Sequence, residues 1–307
     1  MKLRILWLDF SFLSLLLLLS YHCFLTGCKP PQDQNSAHGA STSSASPHPS
    51  EIETAVLNND VARTRSLLST GIDPDQETSL GGNLMHIAAE SSSAQMIQCL
   101  IEAGANVNVT NEYGQTPLAI AVKNCVEAIV RQLLDNGADP NITSNLKITP
   151  LMWASMQCKE EICRMLLTHS AEVNAKALDG TTALAYAALN NCGACAMVLL
   201  QHGADPEICD DTGMSPLMWA ALWDNASLAR SLLGDGADPN AVEESGATAL
   251  MFTVCNPSTD TAMALLEAGA DSGMANADGQ TALAIASSSD CDGAREELIR
   301  LLESFGR

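Results

Sequence analysis

Eleven cysteines stand in a chain of 307 residues, and among its side chains thiols have the widest choice of chemistry. Cys23 and Cys28 fall near the amino terminus. The other nine are Cys99, Cys125, Cys158, Cys163, Cys192, Cys195, Cys209, Cys255 and Cys291. Nine is odd, so in an oxidising compartment at least one stays unpaired within a monomer. Cys192-Gly193-Ala194-Cys195 has the spacing of dithiol redox centres and of zinc sites, and a helix start can lower the pKa of such a thiol. With Cys158 and Cys163 these two make a four-thiolate set if the side chains converge. The plainer reading is that cysteine, small and fairly apolar, fills positions where alanine would serve, or forms disulfides. His169 and His202 lie 33 residues apart. They could share a metal, or each could sit as a cation at the carboxyl end of a helix, where the dipole favours it. The sequence has no Ser-His-Asp grouping, no phosphate-binding glycine loop and no His-Glu-x-x-His. It therefore carries no catalytic signature, and no cofactor, metal or small-molecule substrate is expected.

The separation of the two histidines is the period of the whole chain. Steps of 33 run through Gly81, Gly114, Lys147, Gly180, Gly213, Gly246 and Gly279, each followed by an approximate Thr-Pro-Leu such as Thr116-Pro117-Leu118 or Thr149-Pro150-Leu151. A second ladder is Gly71, Gly104, Gly137, Ser170, Gly203, Gly236, Gly269, and a third is the paired leucines from Leu67-Leu68 to Leu265-Leu266. Three registers sharing one period mean a repeat array. Within a unit, Thr116 can cap a helix and Pro117 fits the first helical position, where no donor is missed. Small residues such as Ala121, Ala154 and Ala187 allow close approach. A polar break follows, then an amphipathic second helix ending in the leucine pair and stopped by a left-handed glycine.

These residues resemble the ankyrin repeat: a Gly-x-Thr-Pro-Leu-His-x-Ala helix, a second helix, then Gly-Ala-Asp-x-Asn leading into a hairpin turn. The resemblance covers about residues 51–306 and implies an all-α solenoid of about eight helix-turn-helix units joined by hairpin turns. The units are 51–80 as amino-terminal cap, 81–113, 114–146, 147–179, 180–212, 213–245, 246–278, and 279–307 as carboxyl-terminal cap. Departures are local. The motif histidine survives only at His86, Leu84 replaces proline, and Lys147 and Ser170 replace glycines. Leu301-Leu302 fall three residues later than the leucine ladder, so a small insertion is expected within 287–293. Met152-Trp153 and Met218-Trp219, with Tyr186 and Phe252, share a slot expected to be core.

Stacking sets the expectation for the thiols. Cysteines in equivalent positions of adjacent repeats, such as Cys125 and Cys158, should stand about 8–10 Å apart, whereas a disulfide prefers Cα atoms within about 7 Å. The favoured pairs are therefore Cys158 with Cys163 and Cys192 with Cys195.

At the amino terminus, Lys2 and Arg4 precede the apolar run of residues 5–19, which is short for a membrane span. Leu25-Thr26-Gly27-Cys28 resembles the bacterial lipobox. The resemblance implies a signal peptide over 1–27, a lipid anchor on Cys28, and a place in the bacterial envelope facing the periplasm. Lys29, where an aspartate would retain the protein at the inner membrane, favours the outer membrane. Residues 28–50 are rich in Ser, Pro, Ala and Gln without apolar periodicity, and are expected to form a disordered tether. The net charge of −21 repels phosphate backbones, which argues against a nucleic-acid partner.

Ankyrin proteins that bind partners make contacts mainly through hairpin tips and the exposed face of the first helix. Register carries that surface to Tyr113, Leu146, Ile148, Leu178 and Met214 at and beside the tips, and to Met156, Leu189, Leu222 and Trp223 on the first helices. Exposed apolar clusters mark interaction sites, and aromatic side chains dominate affinity within them. The expected role is a non-enzymatic protein-binding scaffold or adaptor, gripping a protein on its concave face. The alternatives are a redox or metal protein acting through Cys192 and Cys195, and an exported factor acting on host proteins.

Overall fold

Capping decides where each helix begins. The computed structural model describes residues 50–256, 259–288 and 293–306. Signal, lipidation site and most of the tether lie outside these residues. Thr116 accepts from the backbone N–H of Ala119 at 3.2 Å, with Pro117 at the first helical position. Thr149, Thr182 and Ser215 repeat that bond one period apart. The first helices that follow are α1 (Glu51–Leu57), α3 (Leu84–Glu90), α5 (Pro117–Lys123), α7 (Pro150–Met156), α9 (Ala183–Leu189), α11 (Pro216–Leu222), α13 (Ala249–Phe252) and α15 (Ala282–Ser288). Each is followed by its partner: α2 (Val61–Leu68), α4 (Ala94–Glu102), α6 (Glu127–Asp135), α8 (Glu160–Thr168), α10 (Gly193–Gln201), α12 (Ala226–Gly234), α14 (Thr259–Glu267) and α16 (Gly293–Phe305).

Seven-residue helices are far too short to persist alone in water. Their stability comes from stacking: α5 packs on α3 and α7, α9 on α7 and α11, and each first helix also on its own second helix. All of Pro150–Met156 is buried in consequence. The second helices bury one stripe each, such as Ile129, Val130, Leu133 and Leu134 on α6. Met152, Trp153, Met218 and Phe252 are core, as their slot requires, while Tyr186 and Trp219 stay half-buried. The result is the all-helical array of eight pairs that the period demands. Among the described residues the hairpins supply only isolated β-bridges, such as Lys176 with Thr182 and Val242 with Thr248.

Lys147 and Ser170 do not disturb their turns. Both adopt the left-handed conformation, at φ 56° and 66°, that glycine holds at the equivalent positions of other repeats. The expected insertion in the last repeat is not needed. Residues 289–292 fall outside the described ones, but Leu298 keeps the 33-residue step from Leu232 and Leu265 and all three are fully buried. The later leucines belong to one more turn of a longer helix, α16, in which Leu302 lies one turn beyond Leu298 and is buried with it.

Two sets of side-chain bonds knit neighbouring repeats together. At the hairpin bases, the Asn108 carbonyl accepts from the backbone N–H of Asp139 at 2.8 Å while its amide donates to the Gly137 carbonyl at 3.1 Å. Asn141 does the same to Glu172 and Ser170, and Asn240 to Asp271 and Gly269. At the turns between paired helices, Ser93 donates to Asn59 and Asn225 to Asn191. In each case the acceptor sits at left-handed φ and the donor caps the second helix of the next pair.

Candidate interaction surface

The turn between α7 and α8 places Cys158 at φ 56°. Cys192, the residue that caps α10 in the next pair, is bonded to it as a disulfide with Cα atoms 5.1 Å apart. The expected pairs Cys158–Cys163 and Cys192–Cys195 are therefore not formed. The 8–10 Å estimate applies to residues in equivalent positions, and Cys192 is one residue past the equivalent of Cys158, which is Asn191. That offset of 34 is also the offset of Asn59–Ser93 and Asn191–Asn225, so the bridge takes the slot that polar pairs occupy elsewhere. The Asn191–Asn225 pair, one interface further on, marks that slot in the sequence. Cys163 and Cys195, also on adjacent pairs, are buried and hydrogen-bonded to each other, and that bond together with burial raises the pKa of Cys163. With Cys192 in the bridge, the Cys-x-x-Cys sulfurs do not face each other as a dithiol.

His169 and His202 each bond through Nδ1 to the carbonyl four residues earlier, Met165 and Val198 respectively, both at 2.8 Å. Each closes the carboxyl end of its helix with that bond, at the position the plainer reading gave it. Among the described residues no group of three or more His, Cys, Asp or Glu side chains is arranged to hold a metal.

The hairpin tips form a continuous edge. Asn145 donates its backbone N–H to the Tyr113 carbonyl, Leu178 to Leu146, Asp211 to Asp179, Glu244 to Thr212 and Ala277 to Ser245, all at 2.8–3.1 Å. Along that edge Tyr113 (61% exposed), Leu146 and Leu178 (60%) project into solvent, and Trp223 is exposed beyond α11. Ile148, Leu189 and Leu222 are half-buried. Met156 and Met214 are not available to a partner, at 8% and 4% exposed. Met156 ends a helix covered on every side by α5, α8 and α9. Met214 is drawn inward because its backbone closes the turn onto Asp210 through both N–H and carbonyl.

Sequence reasoning missed Leu80, 59% exposed and one period before Tyr113. Stepping back from Tyr113 by 33 would have found it. Leu80, Tyr113 and Leu146 thus make an apolar column over three successive tips, which continues as Asp179, Thr212, Ser245 and Asp278. Where the column changes character, Leu146, Ile148, Ala177, Leu178, Asp179 and Tyr186 line an open groove of about 290 Å³. A larger hollow of about 430 Å³ over the second helices is edged by Val61, Arg65, Ala94, Gln95, Gln98 and Gln132, so it sets one cation and three amides beside two small aliphatic side chains. The tip groove sets aliphatic side chains beside one carboxylate, Asp179, and the ring of Tyr186. It can bury an aliphatic or aromatic side chain of another molecule.

A search of curated proteins finds no match to this chain. Among solved structures, the chain resembles the crystal structure of the ankyrin repeat domain of Bcl-3, described as a unique member of the IkappaB protein family. The likeness has a TM-score of 0.57 and 24% identity over 82% of this chain and 98% of that one, and it bears on the fold alone. A family model described as "Ankyrin repeats (3 copies)" matches residues 52–144, 127–210, 151–243 and 217–304. Domains of this kind are generally protein–protein interaction modules and non-enzymatic scaffolds. With helix pairs, turns and period all in that pattern, the chain belongs to the ankyrin-repeat family.

Proposed function

We propose that this protein is a non-enzymatic scaffold or adaptor that holds a protein partner on the concave face formed by hairpin tips and first helices. The observation that carries this reading is the run of exposed apolar side chains Leu80, Tyr113, Leu146 and Leu178 on consecutive tips, ending in the groove beside Tyr186. A solvated edge gains nothing from displaying four such residues on successive tips, three of them in one register. Large exposed apolar side chains at one place mark a surface that is covered in use. The anchor belongs to the same proposal: a positive start, an apolar run and Leu25-Thr26-Gly27-Cys28 in order support lipidation at Cys28 and a periplasm-facing site in a bacterial envelope, at the outer membrane. An exported factor acting on host proteins would use the same surface but carry an unmodified Cys28.

The test is affinity capture from envelope extract with the wild-type chain and with Leu146→Asp/Leu178→Asp. A partner retained by the first and lost from the second supports the site. Equal recovery on both removes it. Mass spectrometry of the amino-terminal peptide decides the anchor, since a lipid-modified Cys28 is expected and a free thiol there overturns it.

A further inference from the structure

We infer that the partner docks an extended segment carrying apolar side chains at one end and Lys or Arg at the other, the apolar end in the groove of Leu146, Leu178 and Tyr186. This rests on the docking reading above and adds the chemistry of the occupant.

The groove sits where the edge passes from mainly apolar to mainly acidic tips. Towards the amino terminus the tips offer Leu80, Tyr113 and Leu146, all exposed. Beyond the groove they offer Asp179, Asp211, Glu244 and Asp278, also exposed. Asp211 and Glu244 matter most, because their carboxylates make no hydrogen bond or ion pair among the described residues. Their neighbours Asp210 and Glu243 are different. Asp210 accepts from Thr212 and Met214, and Glu243 from Ser245 and Ala247, so those carboxylates hold their own turns. The ion pairs Arg63–Glu51, Arg65–Glu102, Arg131–Glu161, Arg164–Glu160 and Arg300–Glu296 lie elsewhere, on helices. The carboxyl-terminal half of the edge is therefore left with uncompensated negative charge beside an apolar notch. A cationic segment is the complement of such a field, and an anionic one is repelled by it.

Spacing fixes the form of the segment. From Tyr113 onward successive tips are joined by backbone hydrogen bonds, so that stretch of the edge has no gaps, and repeats stack at roughly 10 Å. An extended chain in the polyproline II form advances about 3.1 Å per residue with three residues per turn, so every third side chain faces the same way, about 9 Å further on. One side chain in about three would meet each tip, giving an apolar anchor followed by cations at three-residue intervals.

The probes are two fluorescent fifteen-residue peptides on an alternating Ser/Gly background. Each has Leu at two positions, followed at three-residue spacing by Lys in one and Glu in the other, and each is made in both chain directions. Anisotropy against the full chain at low and moderate salt should show the Lys peptide binding in one direction, with affinity falling as salt rises. Asp211→Asn/Glu244→Gln should weaken it about threefold to tenfold, the range for two exposed charge pairs, and flatten the salt dependence. Leu178→Asp should abolish binding. Equal affinity for the Glu peptide, no binding of the Lys peptide, or no effect of the Asp211→Asn/Glu244→Gln variant would overturn the inference. Self-association of the full chain that Leu178→Asp removes would overturn it too, in favour of a second copy as occupant. If the inference fails while Leu146→Asp/Leu178→Asp still loses its captured partner, the docking site stands and only the partner's charge is wrong.

Discussion

His86 is the one motif histidine that survived, and its environment explains what it does. Buried on α3, it reaches the Gln115 carbonyl of the next hairpin through Nε2 at 2.9 Å and accepts the Asn83 backbone N–H at Nδ1 at 3.1 Å. Burial lowers its pKa from 6.5. The unfolded chain then binds more protons than the folded one at pH values between the folded pKa and about 6.5, and stability must fall as pH drops through that window. His86→Gln should shrink the loss of urea midpoint between pH 7.5 and pH 5, and an unchanged pH dependence would show that His86 is not its source. Lys147 carries a different strain. At φ 56° its Cβ meets the carbonyl crowding that glycine avoids, at a cost of roughly 1 kcal/mol, so Lys147→Gly should raise the unfolding free energy read by urea titration by about that amount. Gly114, Gly180 and Gly213 of this column are held by close approach to the next hairpin as well. A Cβ on Gly180 would lie 2.7 Å from Oδ1 and 3.0 Å from the backbone N of Asp211.

Between elements, the asparagine column at the hairpin bases has a chemical logic that isolates one atom. Asn141 needs both halves of its amide, one to accept from Glu172 and one to donate to Ser170. Asn141→Asp keeps the shape and the acceptor but sets a carboxylate against the Ser170 carbonyl, and should cost about 1–2 kcal/mol in denaturant titration. Asp75 is the natural counterpart, accepting from Asn106 with no amide to donate, and Asp75→Asn should be neutral or stabilising. This scale also marks how far the sequence could be read. Helix pairs, caps and core slots follow from apolar spacing and from Thr116, Pro117 and their equivalents, because those features act within one repeat. The disulfide did not follow, because spacing between repeats was judged from equivalent positions alone. Leu80 stayed hidden while the first repeat was read only as a cap. Met156 and Met214 were misplaced because register gives a residue's position along a repeat, and neighbours on both sides decide whether it meets water.

At the scale of the molecule, the bridge joins the fourth and fifth of eight helix pairs, the midpoint of a structure in which each unit touches only its neighbours. Stability in such an array is close to a sum of unit and interface terms, so one weakened interface can let two halves open separately. Closing a loop of 34 residues is worth about 3–4 kcal/mol by chain entropy. Cys158→Ser/Cys192→Ser should therefore lower the unfolding free energy by about that much. A reductant should bring the wild type down to the variant and leave the variant unchanged. Cys158→Asn/Cys192→Asn, which copies the Asn191–Asn225 contact, should recover about 1 kcal/mol of the loss. Amide hydrogen exchange would locate the effect, with protection falling first in α7 to α10 and the denaturation curve broadening as the two halves uncouple. If reduction changed neither midpoint nor exchange, the polar ladders alone would be enough to hold the centre of the array.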